Sequence, residues 1–245
     1  MNSEDIEVGH PLIPDAGHKY LYGSTKPVKE RFARKVYGII AAQLSLTFAV
    51  AAAIGTQPLM WIMDNTWIFF ASMMGTFLLV FGLLFFPNIA RRVPYNYIYL
   101  ALFTLLESVM VGFCSSIYDI QSVLIAAGAT AGIFLVLTVF AVTTKLDLTG
   151  LLPYLITVSF SLIFFGAIAM LLPAYRGVQL VYGFAGATLF SLYIVVDTQM
   201  IFRGEANTVI SYTVDDYIFA ALAVYIDIIG LFVNLLSLVG NRHND

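Results

Sequence analysis

The chain has 245 residues, 60% of them hydrophobic and only 11% charged, with a formal net charge of -3 and a mean hydropathy of +0.88. Soluble domains carry roughly 25% charged residues, so a water-soluble fold could not cover this much apolar surface. The faintly acidic balance supplies no basic field and excludes nucleic acid as a partner, which leaves the lipid bilayer as the expected solvent.

Residues 1–35 are polar and interrupted by Gly9, Pro11, Pro14, Gly17, Gly23 and Pro27. That pattern predicts a disordered cytosolic tail whose basic end suits anionic lipid. No cleavable signal precedes the first apolar run, which is therefore expected to serve as an uncleaved signal anchor. Apolar runs long enough to cross the ~30 Å hydrocarbon layer follow at 36–56, 67–87, 95–115, 120–142, 151–172, 178–202 and 217–239. They define an all-α, seven-transmembrane-helix bundle over 36–240, with a short C-terminal tail at 241–245.

The connections, of about 3 to 14 residues, hold turn formers such as Pro58, Pro87, Pro94, Pro173 and Gly177, so chain neighbours are expected to pack antiparallel. Gly128 with Gly132, and Gly183 with Ala187, have the four-residue spacing that lets membrane helices approach closely. Cys114, the only cysteine, lies in the third span and reads as a packing residue.

Basic residues set the orientation, because Lys and Arg are retained on the cytosolic side. Placing the N-terminus inside puts Lys19, Lys26, Lys29, Arg31, Arg34, Lys35, Arg91, Arg92, Lys145 and Arg203 on that side and leaves only Arg176 and Arg242 outside. A re-entrant last segment would bring Arg242 inside as well, so charge alone leaves six spans open beside the preferred seven.

Three acids fall well within the spans: Glu107 in the third, Asp197 in the sixth and Asp227 in the seventh. A charge at the centre of a membrane helix costs roughly 2.5 to 3.5 kcal/mol, so each must be neutral, paired or facing water. The helical rise puts Glu107 ~18 Å and Asp227 ~15 Å from the inner boundary, and Asp197 ~8 Å from it. A short polar loop joins spans six and seven, which makes Asp197 and Asp227 candidates for a carboxyl pair. Two such groups in contact in a low-dielectric site do not readily both ionise, and they tend to hold one proton between them. Losing that proton would make the helices repel and bias the bundle from closed to open, with cations drawn to the exposed carboxylates. The alternative is that each acid stays protonated and hydrogen-bonded to Tyr193, Thr104, Asn234 or backbone carbonyls, acting only to hold helices together. Asn234 lies on the same helical face as Asp227 and extends its polar stripe.

At these residues the sequence resembles the transmembrane Bax inhibitor motif family, its Lifeguard branch most closely. The likeness is carried by Arg34-Lys35-Val36-Tyr37, Gln43-Leu44 and Thr47 in the first span and by Phe103-Thr104-Leu105-Leu106-Glu107 in the third. Tyr193-Ile194-Val195-Val196-Asp197-Thr198-Gln199 in the sixth and Tyr225-Ile226-Asp227-Ile228-Ile229-Gly230-Leu231-Phe232 in the seventh complete it. Gly230 stands where that family usually has Asn. The resemblance implies a seven-helix fold with a central last helix and a pH-sensitive calcium leak from internal stores, associated with suppression of cell death. Asp197 and Asp227 would be the proton-sensing and gating pair and would bind calcium transiently. Read from their own placement in the spans, Glu107, Asn234 and Tyr193 are candidate polar-network or pore residues, and the resemblance points to Arg91 or Arg92 as the basic partner of the pair. An endoplasmic reticulum or Golgi membrane is the implied location.

Other functions compete with that expectation. An intramembrane aspartyl protease also places one Asp on each of two spans, but neither Asp here sits in the Tyr-Asp or Gly-x-Gly-Asp context of those enzymes. A serine-His hydrolase is excluded because His10, His18 and His243 lie in the tails, and a retinal protein because the last span has no Lys. A non-conducting scaffold that contacts other membrane proteins of cell-death control remains the main alternative to ion flux. No cofactor is expected.

Overall fold

The computed structural model describes residues 20–21, 23–85, 92–171, 176–203 and 212–241. Within them the chain forms eight α-helices: α1 Lys26–Gly55, α2 Leu59–Asp64, α3 Thr66–Phe85, α4 Tyr95–Ser116, α5 Ile120–Thr143, α6 Leu152–Leu171, α7 Arg176–Arg203 and α8 Tyr217–Val239. All but the six-residue α2 are long and apolar enough to cross a membrane. The second to seventh expected spans match α3 to α8 to within two residues at each end. α8 runs unbroken for 23 residues, ~35 Å of helix, which removes the re-entrant alternative.

The first boundary needs correction. α1 begins at Lys26, ten residues before position 36, with Pro27 in its first turn, where a missing N–H costs nothing. The basic turns of α1 are amphipathic rather than disordered: Phe32, Ala33 and Val36 are buried while the neighbouring cations face outward. Two cations also find partners on other helices. Lys29 Nζ donates to the carbonyl of Arg203, and Lys35 Nζ sits 3.1 Å over the Tyr217 ring, a cation–π contact. Hydropathy alone misses these turns because charge lowers the score without opposing helix formation. Tyr20 forms an antiparallel bridge with Thr213, and Leu21, fully buried, donates its N–H to the Tyr212 carbonyl at 3.0 Å. Residues 1–19 of the expected tail lie outside the described residues.

Helix α8 is the axis of the bundle and packs against α1, α4, α5 and α7. Thirteen of its residues, from Tyr217 to Leu236, are buried, and Val239 alone in this helix is exposed, so it is covered on every side. Packing by chain neighbour does not hold throughout. α1 packs on α4, and α5 on α7 and α8, whereas α3 touches mainly α4 and α6 mainly α7. α3 and α6 are peripheral, and Phe70, Phe77, Phe160 and Phe164 point outward where lipid would cover them. The small-residue expectation divides in the same way. A Cβ on Gly183 would stand 2.6 Å from Ser237 Oγ of α8, a true close approach, whereas Gly128 and Gly132 face open space.

Candidate functional site

α7 and α8 share the most extensive interface in the bundle. Their antiparallel register is set where glycine admits a neighbour: Gly183 faces Ser237, Gly186 faces Asn234, and Gly230 faces the Phe190 ring. Continuing that register brings Asp227 opposite Tyr193, one turn from Asp197. The two carboxyl groups lie within hydrogen-bonding reach of each other, each residue being 5% exposed. Asp227 Oδ2 has no hydrogen-bond partner. A buried carboxyl oxygen left unmatched is costly, so the pair is built at the expense of stability.

Why Asp-Thr-Gln works as a unit follows from helix geometry. Ile194 to Ile201 are buried without a break, so three successive side chains, about 100° apart, each reach a different neighbour. Asp197 faces α8. Thr198 Oγ1 lies 3.3 Å from Tyr37 Oη of α1. Gln199 turns to the segment between α5 and α6, where its amide donates to the Leu146 carbonyl at 2.9 Å and its Oε1 accepts the Leu148 N–H at 2.8 Å. Arg203, one turn on, donates to the carbonyls of Leu146 and Thr144. These bonds fix the inner end of α7 around the pair.

Tyr212 closes the pair on the side where α7 ends and α8 begins. Its ring packs 6.3 Å from that of Phe32, its carbonyl holds Leu21, and it lies within electrostatic range of Asp197, Asp227 and Asp216. Burial, followed by those carboxylates, pushes its phenol well above the ordinary tyrosine range.

The other expected residues divide into those drawn to the pair and those not. Tyr193 lies in electrostatic range of both aspartates but spends its hydroxyl on Ser159 Oγ of α6, 2.9 Å away. Asn234 does face α7, as the polar stripe predicts, yet its amide donates to the Gly230 carbonyl at 2.7 Å. The Phe190 ring over Gly230 separates it from the carboxyls. Glu107, half-buried on α4, approaches Tyr225 and Cys114 instead of the pair. Arg92 is exposed ahead of α4. Arg91 lies outside the described residues. No cluster of three or more acidic, His or Cys side chains suited to a metal occurs among the described residues.

A second polar centre went unread in the sequence. Gln43 Nε2 of α1 donates to Thr104 Oγ1 of α4 at 2.9 Å. Ser108 Oγ donates to Thr47 Oγ1 at 3.0 Å, and Thr47 Oγ1 lies 2.8 Å from Tyr225 Oη of α8. All five residues are at least 96% buried. Its signal was legible as spacing: Gln43 with Thr47 and Thr104 with Ser108 are polar pairs four apart in apolar helices, the separation that puts both on one face.

Comparison with known proteins agrees with the geometry. The family model described as "Inhibitor of apoptosis-promoting Bax1" matches residues 29–244. Protein lifeguard 3 of Homo sapiens is 30% identical over 223 residues, covering 89% of this chain and 71% of the relative. Protein lifeguard 3 of Mus musculus is 29% identical over 251 residues, covering 95% and 80%. Bax inhibitor 1 of Schizosaccharomyces pombe is 29% identical over 222 residues, covering 90% and 80%. The chain is a multi-pass helical membrane protein and belongs to the Bax inhibitor-1 family, which is associated with the inhibition of apoptosis.

Proposed function

We propose that this protein is a pH-sensitive calcium leak of an internal membrane such as the endoplasmic reticulum or Golgi, closed when Asp197 and Asp227 share a proton. Its N-terminus would be cytosolic, as the ten-to-two distribution of basic residues favours. The observation that carries the reading is the close approach of two buried carboxyl groups across the main helix interface, with one oxygen lacking a partner. Two carboxyl groups so placed are held together by sharing a proton. When it is lost, two negative charges ~4 Å apart repel by about 4 kcal/mol at an effective dielectric of ~20, and α8 is driven from α7. Leak would therefore rise with pH.

The passing ion is cargo, not a resident cofactor. Calcium takes about 6 to 8 oxygen ligands, and two carboxylates with nearby hydroxyls supply too few to retain it. Attraction without a full shell is what permits passage. In the closed state Tyr212 would cover the pair on one side, held by the Leu21 N–H on its carbonyl.

The decisive experiment is calcium flux into dye-loaded liposomes containing the purified protein, with pH stepped from about 6 to about 8. Asp197→Asn and Asp227→Asn should each abolish the pH dependence, because an amide can hydrogen-bond the remaining carboxylate without a shared proton. Unchanged flux and pH response in both variants would overturn gating by the pair, and absence of flux from the parent protein would leave the scaffold reading.

A further inference from the structure

The outer face of α1 changes character along its length. Near its start it carries Arg31, Arg34 and Lys35, all exposed, and the four-residue spacing of Arg31 and Lys35 puts them on one side of the helix. Below them the same side runs through Gly38, Ala42, Ser45 and Ala49, small and exposed. A Cβ built on Gly38 would meet nothing within 4 Å. The larger exposed side chains Leu46 and Phe48 flank this strip, which makes it a shallow trough ~17 Å long leading away from the cations.

Other helices fix the level of those cations. Lys35 Nζ sits 3.1 Å over the Tyr217 ring, and the Tyr217 hydroxyl lies 3.4 Å from that of Tyr97 on α4. Tyr95, Tyr97 and Ile98 are exposed in the first turn of α4, and outward tyrosines in a membrane helix mark the boundary between hydrocarbon and head groups. Arg92 is exposed one turn before Asn96, whose amide also donates to the Tyr217 hydroxyl at 3.4 Å. The four cations thus gather at head-group level, at the end of the bundle where α1 begins. Arg31, Arg34 and Arg92 make no ion pair among the described residues. The first turn of α4 carries no acid, and Glu30 of α1 faces Lys26, 3.9 Å away. Asp215, exposed at the start of α8, offsets at most one of the four charges.

We propose that this face seats one anionic phospholipid, with its phosphate among Arg31, Arg34, Lys35 and Arg92 and one acyl chain in the trough past Gly38 and Ala42. Guanidinium groups match phosphate oxygens in pairs, which suits three arginines to that head group. A soluble anion would use the cations and leave the trough empty, whereas a phospholipid fits both parts and already surrounds the helix at this depth.

The test is native mass spectrometry of the full-length protein in mild detergent, with phosphatidylserine, phosphatidylcholine of the same chains and soluble glycerophosphoserine as probes. One phosphatidylserine should be retained about ten-fold more strongly than phosphatidylcholine, and Arg31→Gln or Arg34→Gln should each lower that preference about five-fold. Thermal unfolding of both variants should stay close to that of the parent, because the side chains are exposed. Lys145→Gln removes an exposed cation between α5 and α6 and should leave the preference intact. Ala42→Trp should fill the trough and weaken both lipids alike. Equal retention of the two lipids by the parent, an equal loss in Lys145→Gln, or retention unmoved by Ala42→Trp would each overturn the proposal. Displacement of the lipid by glycerophosphoserine at matching concentration would assign the cations to a soluble anion instead. Binding of a polyglutamate peptide that phosphatidylserine does not displace would assign the face to an acidic protein, and either result would overturn the lipid.

Discussion

Tyr225→Phe isolates one atom of the second polar centre. Tyr225 is completely buried, its ring meets Phe103 edge-on at 6.4 Å, and only its hydroxyl reaches Thr47 of α1, at 2.8 Å. Phenylalanine keeps the ring contacts and removes that bond. Thr47 retains its bond to the Gln43 carbonyl and the bond from Ser108, so no buried hydroxyl is orphaned. The loss should be a net hydrogen bond, about 0.6 to 1 kcal/mol. If α8 must leave α1 for the leak to open, that energy now favours the open state and leak at a fixed pH rises about three- to five-fold. Under the proposed gating the closed state carries the shared proton, so weakening it moves the midpoint of the pH response downward, by up to about 0.7 pH unit. Liposome flux across a pH series measures both quantities, and denaturant unfolding in micelles measures the stability loss. A stability loss near 1 kcal/mol with flux and midpoint unmoved would show that the α1–α8 contact is structural and that opening does not involve it.

Two further outcomes follow from contacts around the pair. Gly230→Ala puts a methyl group 2.5 Å from the Phe190 ring and should cost about 1 to 3 kcal/mol by overpacking; thermal unfolding would detect it, and Phe190→Leu in the same chain should recover part of the loss. Tyr212→Ala should uncover the pair from the side of α1's first turn, so that a cysteine introduced by Asp197→Cys in a Cys114→Ser background reacts faster with a membrane-impermeant thiol reagent. Equal labelling rates with and without Tyr212→Ala would show that Tyr212 does not cover the site.

The helices were legible because lipid enforces long apolar runs, and the acids because an ionisable residue among them stands out. Less legible were the features that depend on tertiary partners. The ten added residues of α1 are amphipathic and charged, so their helicity shows only when Phe32 and Val36 find a core and Lys35 finds Tyr217. Gly128 and Gly132 carry the same spacing as true crossing sites yet meet nothing, because spacing specifies that a helix could be approached and not that one does so. The Asp197–Asp227 pairing was inferred from a short loop, and the register of Gly183, Gly186 and Gly230 against α7 and α8 supplies its physical basis. Gly230 itself changes meaning. As a sequence position it marks a missing polar group beside the pair; in the fold it is the space that Phe190 fills, which keeps Asn234 apart from the carboxyls.

These contacts give α8 two polar faces with different chemistry. Toward α7 it presents Asp227, whose attachment under the proposed gating depends on a proton; toward α1 and α4 it presents Tyr225, whose attachment depends on neutral hydroxyls. Under that proposal a change of pH acts on one side of the helix only. Repulsion of about 4 kcal/mol at the carboxyls exceeds the roughly 1 kcal/mol contributed by the hydroxyl contact, so the electrostatic face decides the direction and the neutral face sets the threshold.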